Sequence, residues 1–464
     1  MTSQHSSAGI VKQLAKIVGT ENTISDARSL EDYKRDMADY EGTPMAVVRP
    51  GSEQETVQIV KLARRRRVPL VARGAGSSLT GAVVLEDGIT IDMSRFNHVL
   101  KIDPINWYVH LQAGVVLDDL NKELEKHGFF FPPDPASSFM CTVGGAIAEG
   151  SGGMRCVKYG TMKDWVLSVR VVLPNGRIAT FGEPLPKNRA GYDLVHLLTG
   201  SEGTLGIVTE AWLKILPIPI APVRRMLVLF DDWVSAGHAI QQFRVSRIIP
   251  RLMEFMDRGT VAAVNRALDL NLEEAEATLL VDIEESNGHS VDLAVKTLES
   301  SGARRIILAK DEDEADRFYQ ARAWAYIAVK KLATGVQVED VVVPIDRLVE
   351  YLQLVQDVAR RFNVRILVAG HAGDGNVHPT ILYDLANQAS RSAAVAAFEE
   401  ICRYAIRVGG TVTGEHGVGV QKVGLFREQL IAHGGREALR LMKGIKRLFD
   451  PEGIMNPRKY VEAA

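Results

Sequence analysis

Cysteine is scarce in this sequence: Cys141, Cys156 and Cys402 are the whole supply in 464 residues. They stand far apart, which excludes the close spacing of an iron–sulfur or zinc-ribbon site and leaves no disulfide framework. An excess of charge of one sign is also missing. Lys and Arg total 55 against 57 Asp and Glu, a net charge of -2, so there is no electrostatic case for a nucleic-acid partner. No apolar run approaches the ~20 residues that span a bilayer. Met1 to Gly9 is polar, without the apolar core of a signal peptide. These absences lead to the expectation of a cytoplasmic protein, with a peripheral contact at the inner face of the membrane still compatible.

What is present is a large apolar supply, 46% of residues, in a chain long enough for two or three domains. Ser52 followed by Glu55 reads as a helix start, and Arg64 to Arg67 complement the negative end of that helix. A buried strand, Val68 to Ala72, runs into the small-residue loop Arg73-Gly74-Ala75-Gly76-Ser77-Ser78-Leu79-Thr80-Gly81. The loop leads to another strand, Ile89 to Asp92, where a Rossmann or phosphate-loop fold requires a helix. Pro174-Asn175-Gly176 between Leu167–Leu173 and Arg177–Phe181 predicts a hairpin. Pro217, Pro219 and Pro222 mark a boundary, which gives segments 1–220, 221–410 and 411–464. In the second, strands at Met226–Phe230, Thr278–Glu284, Arg305–Ala309, Val338–Val343 and Arg365–Ala369 alternate with amphipathic helices, an α+β pattern. The tail carries two helices.

The densest chemical signal is His371-Ala372-Gly373-Asp374-Gly375-Asn376-Val377-His378. His371 ends an apolar strand, and a turn through Gly373 and Gly375 can bring His378 alongside; Asp374 has turn formation as its simplest job. Gly414-Glu415-His416-Gly417 adds a carboxylate and a third imidazole. Imidazoles with a carboxylate suit a divalent metal that keeps one position open. Three glycine-rich segments, Arg73 to Gly81, Thr142 to Gly153 and Gly200 to Gly206, offer backbone N–H groups to an anion such as a pyrophosphate.

Pro132-Pro133-Asp134-Pro135, then Thr142-Val143-Gly144-Gly145 through Gly152-Gly153, then Tyr159-Gly160 and Gly200-Ser201-Glu202-Gly203-Thr204-Leu205-Gly206-Ile207 resemble the vanillyl-alcohol oxidase and para-cresol methylhydroxylase flavoproteins. The resemblance covers essentially the whole chain. It implies an α+β protein: a two-subdomain FAD-binding domain plus a cap domain whose antiparallel sheet is covered by helices. It also implies that Arg73, Gly74, Ala75, Gly76, Ser77, Ser78, Thr80 and Gly81 wrap the pyrophosphate. Pro133, Asp134, Thr142, Gly144, Gly145, Gly152, Gly153, Tyr159, Gly160, Glu202, Gly206 and Ile207 would line the rest of the FAD, and Asn456 would meet the flavin from the tail. Ser77 and Ser78 stand where covalent members carry His or Cys, so the FAD is expected to be non-covalent. Gly150 replaces an Asn common among relatives.

Within that superfamily, His-x-Gly-Asp-Gly-Asn-x-His with Gly-Glu-His-Gly is similar to the FAD-linked D-2-hydroxy acid dehydrogenases, which include D-lactate dehydrogenase and the flavin subunit of glycolate oxidase. The similarity implies a metal held by His371, His378 and Glu415, zinc ahead of manganese or iron, with His416 as base and Arg322 for the substrate carboxylate. The reaction implied is oxidation of a small D-2-hydroxy acid to the 2-oxo acid, with hydride passing to flavin N5. Relatives that accept a second carboxylate offer a lysine near Val336 to Asp340. Here Gln337, Val338, Glu339 and Asp340 stand instead, so D-lactate or glycolate is expected ahead of 2-hydroxyglutarate. Electrons would pass to a separate acceptor, a quinone, a carrier protein or an iron–sulfur subunit, and a homodimer is compatible. The competing classes are a metal hydrolase, which leaves the glycine-rich loops without a role, and a flavin relay subunit, which needs no hydroxyl-activating metal.

Overall fold

Ser52 caps the helix Glu53–Arg66 by accepting from the Glu55 amide at 3.2 Å, and the Glu55 carboxylate reaches back to the Gly51 amide at 2.7 Å. The helix packs its Val57, Ile59, Val60 and Ala63 face into a core shared with Leu70, Ile89 and Ile91. The next strand, Leu70–Arg73, pairs in parallel with Ile89–Asp92, so the loop between them is a strand-to-strand connection. The computed structural model describes residues 4–285 and 288–460.

Two units partition the chain. The first contains Met1–Ser151, Thr161–Ile218 and Glu415–Ala464; the second contains Gly152–Gly160 and Pro219–Gly414. Among the described residues the first unit has two main sheets and a short pair, Phe129–Phe130 with Leu216–Pro217. Thr23–Ile24, Ala46–Val48, Ile89–Asp92 and Leu70–Arg73 form one; Val99–Asp103, Tyr108–Gln112, Ile207–Lys214, Val166–Val172 and Ile178–Gly182 form an antiparallel other. The expected hairpin is the pair Val166–Val172 and Ile178–Gly182, with Gly176 in the left-handed region its turn requires.

The tail is built into this unit. Ile454 and Asn456 bond the backbone of Leu70, and the buried Lys446 ammonium ties together the Thr204 carbonyl, the Asp450 carboxylate and the Met455 carbonyl at 2.6–2.8 Å. A single helical stretch, Val423–Phe449, precedes it and is broken at Gly435, so the two expected helices meet at that residue.

In the second unit eight antiparallel strands make one sheet, in the order Arg305–Leu308, Val223–Phe230, Ala277–Glu284, Leu252–Asp257, Arg365–His371, Asn376–Tyr383 and Gly335–Val338, with Val341–Val342 also on Asn376–Tyr383. Helices Arg258–Leu268, Glu312–Ala323 and Ala325–Lys330 bury Val261, Val264, Phe318, Ala321 and Val329 against it. The strand expected at Val338–Val343 is interrupted at Glu339 and Asp340. The register nevertheless runs on without a slip, Val338 opposite Thr380 and Val341 opposite Val377, so Glu339 and Asp340 alternate to opposite faces; both are fully buried, Glu339 accepting from Cys402 and Asp340 from Asn376 and Thr413. Among the described residues no helix is long and apolar enough to cross a membrane.

Asp257, at the end of a central strand, caps the helix Arg258–Leu268 through the Thr260 amide at 2.7 Å. Burial raises its carboxyl from 3.8 to about 6. A raised folded-state pKa favours the protonated acid in the fold, so this group's contribution to stability falls as pH rises from about 4 to about 6 and then levels off. Asp257→Asn has no such titration. The melting temperature of the variant minus that of the wild type should rise through this window and plateau above it; a flat difference would contradict the assignment.

Candidate active site

The hairpin Arg365–His371 and Asn376–Tyr383 closes through Ala372-Gly373-Asp374-Gly375, with Gly375 at φ +84°. Asp374 works as a turn residue, its carboxylate accepting from the Asn376 amide at 3.3 Å. His378 pairs directly with Ala369, two residues before His371, so the alternation of a strand puts both imidazoles on one face. Their rings meet edge to face, centroids 5.1 Å apart.

Neighbouring strands supply carboxylates in the same row. Phe255 pairs with Gly370, which brings Glu254 opposite His371; Val341 pairs with Val377, which brings Asp340 opposite His378. His371 Nδ1 lies 2.8 and 3.0 Å from the two Glu254 oxygens, and His378 Nδ1 lies 3.2 Å from the Glu339 carbonyl. Each Nδ1 thus faces an acceptor, which fixes the ring with Nε2 on its far side, the arrangement that metal-binding imidazoles adopt. Arg322, the penultimate residue of the helix Glu312–Ala323, is buried with its Nε 2.7 Å from Glu254.

Asp340 organises the chain that leads to the second motif. Its Oδ1 accepts from Asn376 at 3.0 Å, and its Oδ2 accepts from the Thr413 hydroxyl at 2.6 Å and the Gly414 amide at 3.0 Å. Glu415 is the next residue, so covalent geometry alone sets its Cα about 3.8 Å beyond that of Gly414. The donor set in this second unit, two oriented imidazoles with neighbouring carboxylates, has the chemistry a divalent cation needs.

Glu415 and His416 themselves belong to the first unit, where the segment is clasped by two of the glycine-rich loops. The Thr80 hydroxyl bonds the His416 carbonyl at 3.4 Å, and the Thr80 carbonyl accepts from Val420 at 3.0 Å. Both oxygens of Glu202 accept backbone amides, Val418 at 2.6 Å and Gly419 at 2.8 Å. Gly417 has φ +84°, and a Cβ there would lie 2.5 Å from Glu149 Oε2, so this position in the motif has to be glycine.

Arg73 ends its strand with its guanidinium on the Arg35 carbonyl at 2.9 Å and over the Tyr33 ring. Gly76 and Gly81 of the loop take φ of +72° and +75°. Gly144 is packed against Ala113, where a Cβ would come within 2.7 Å, so it serves close packing of helix and strand. Thr142 caps the helix Val143–Glu149 through the Gly145 amide. Gly206 lies against Val171, and Ile207 is in the core.

Two carboxyl oxygens of this unit, Asp36 Oδ2 and Glu149 Oε2, are buried without a hydrogen-bond partner. Burial raises Asp36 to about 6; burial and the neighbouring Glu202 carboxylate push Glu149 well up. Orphaned polar atoms beside a glycine-rich loop fit a polar ligand that completes their bonding, as the heteroatoms of FAD would. Lys459, lowered to about 8 by burial, bonds the Val84 carbonyl and Asn456 Oδ1.

Some expected cofactor contacts have protein partners. The Asn456 carboxamide nitrogen donates to the Ala82 and Glu202 carbonyls at 2.9 and 2.7 Å, which straps the tail to both loops. The Tyr159 hydroxyl donates to Glu284 at 2.7 Å, and Gly152, Gly153, Tyr159 and Gly160 lie in the second unit. Pro133 and Asp134 are buried. Sequence reasoning missed Glu254 and Glu149. A lone carboxylate inside the apolar strand Leu252-Met253-Glu254-Phe255-Met256 was the available signal for the first.

Comparison with known proteins gives a consistent result. Residues 44–182 match an FAD binding domain, and residues 221–460 match the C-terminal domain of FAD linked oxidases. The chain is 35% identical to the glycolate oxidase subunit GlcD of Bacillus subtilis (strain 168), over 97% of this chain and 96% of that one. It is 33% identical to a D-lactate dehydrogenase of Archaeoglobus fulgidus, over 97% and 99%. In fold it is similar to p-cresol methylhydroxylase, with a TM-score of 0.80 over 97% of this chain and 96% of that one, at 17% identity. The two-subdomain flavin domain and helix-covered antiparallel sheet are those of that fold.

A side chain at Gly76 would need φ +72° and would put its Cβ 2.2 Å from the Arg73 guanidinium. Left-handed backbone costs a side-chain-bearing residue about 1–2 kcal/mol. Gly76→Val should therefore weaken FAD retention roughly tenfold by that cost, read from the ratio of flavin to protein absorbance after dialysis; full retention would separate the loop from the cofactor.

Proposed function

The chain belongs to the FAD-linked oxidase family, with both the FAD-binding and the C-terminal domain represented, and on that premise we propose that it oxidises a small D-2-hydroxy acid, D-lactate or glycolate, to the 2-oxo acid. The observation that carries this reading is the pair of imidazoles on one strand face, each with Nδ1 against an acceptor, in a chain that continues from Gly414 into Glu415 and His416.

In this reading His371 and His378, through Nε2, and Glu415 hold a divalent metal. Zinc leads over manganese and iron because nitrogen ligands suit it. The bound metal supplies polarisation of the substrate hydroxyl. Non-covalent FAD supplies the hydride acceptor, held by the Arg73–Gly81 loop and the Thr142–Gly153 and Gly200–Ile207 segments. His416 takes the hydroxyl proton, an imidazole being matched to that transfer near neutral pH. Arg322 binds the substrate carboxylate as a fork. Glu339 and Asp340, both fully buried, make the neighbourhood unfavourable for a second carboxylate, which supports a monocarboxylate over 2-hydroxyglutarate.

With three scattered cysteines the chain has no iron–sulfur relay of its own. Electrons therefore leave to a separate acceptor: a quinone, a carrier protein or an iron–sulfur subunit. A metal hydrolase gives the family's FAD-binding domain no role.

Anaerobic addition of D-lactate or glycolate should bleach the flavin absorbance, and prior treatment with a chelator should slow that bleaching. An unchanged spectrum across a panel of 2-hydroxy acids would overturn the reading. His416→Ala should stay yellow and lose turnover by about 10²–10⁴-fold, the usual worth of a general base; retained turnover would remove His416 from that role.

A further inference from the structure

Glu254 is a carboxylate with no exposed surface, set between Met253 and Phe255 in the middle of a sheet. Such a group is costly to bury unless it is paired and hydrogen-bonded. It has two partners from different elements. One is Arg322, whose Nε lies 2.7 Å from Oε2; the other is His371, whose Nδ1 lies 2.8 Å from Oε2 and 3.0 Å from Oε1. Arg322 Nη2 also stands 3.5 Å from His371 Nδ1, too long to compete with the carboxylate contacts.

A carboxylate paired with arginine only accepts, so His371 Nδ1 carries the proton that faces it and Nε2 keeps its lone pair. The same contact raises the basicity of the ring and fixes its plane. On the other side, the ion pair on Nε ties the guanidinium to the same carboxylate, and the terminal nitrogens of an arginine are the planar fork that a substrate carboxylate accepts.

Resting on the function proposed above, we infer that Glu254 is a shared positioning residue: one buried carboxylate sets both the ligating tautomer of His371 and the orientation of Arg322. Metal affinity and grip on the substrate carboxylate are then linked through a side chain that touches neither metal nor substrate. A residue that merely neutralised a buried arginine would support the fold and leave metal affinity alone.

The test uses FAD-loaded protein freed of metal by chelation, titrated with zinc against a chromogenic chelator, with KM and kcat measured on the zinc-loaded form. Glu254→Gln keeps the shape and an acceptor oxygen but loses the charge. It should weaken zinc binding by roughly 10–100-fold, the usual worth of a histidine's outer partner, and raise KM for the hydroxy acid, with flavin content unchanged. Glu254→Asp keeps the charge that Arg322 needs, which guards against misfolding, but its shorter arm reaches only one partner. It should therefore impair zinc affinity or KM and spare the other. Wild-type zinc affinity and KM in both variants, with only a lower melting temperature, would overturn the inference and leave the proposed function standing. A wild-type protein that binds no zinc would instead remove the proposed metal, and this inference with it.

Discussion

Everything at this site depends on what lies against Nδ1 of two histidines. An imidazole free to flip presents either nitrogen, and a cation finds a ligand only part of the time. Here His371 is held by a buried carboxylate and His378 by the Glu339 carbonyl, and the strand register puts both rings on one face. Those contacts, more than the histidines themselves, give a polar hairpin the preorganised donors that the proposed metal requires.

The sheet makes that precision affordable in structural terms. Glu254, His371 and His378 come from strands adjacent in one antiparallel layer, and Asp340 lies in register opposite His378, so each residue's neighbour is fixed by register. A slip of one residue would turn every one of these groups to the other face. The first unit works differently: its glycine-rich segments are clasped by side chains such as Glu202, Lys446 and Asn456 that bond backbone atoms of distant segments. A rigid sheet suits the proposed metal and pinned loops suit the proposed dinucleotide contacts, since a cation needs fixed distances and a pyrophosphate needs many amides.

How much of this was legible in the sequence follows from distance along the chain. His371 and His378 share one hairpin, and Glu415 and His416 are consecutive, so local pattern reading found them; the glycine-rich segments were found the same way. Glu254 acts on a histidine 117 residues away, and nothing local announces that pairing. The Val338–Val343 run read as one strand because four of its six residues are valine, whereas the structure has two short strands, Gly335–Val338 and Val341–Val342, in one continuous register on either side of Glu339 and Asp340. Gly144 read as a cofactor contact, and the fold adds a packing constraint there that local pattern could not show, since a Cβ would meet Ala113. Residue type gave the chemistry, and only the fold supplied the partners.

The central claim is that oriented imidazole nitrogens hold a metal in an FAD-linked hydroxy acid oxidoreductase. X-ray absorption at the metal edge of the FAD-loaded protein reads that most directly. The account predicts a stoichiometric ion in a nitrogen and oxygen shell whose spectrum carries imidazole scattering, diminished in both His371→Ala and His378→Ala. A metal-free active enzyme, or a shell without imidazole, would contradict it.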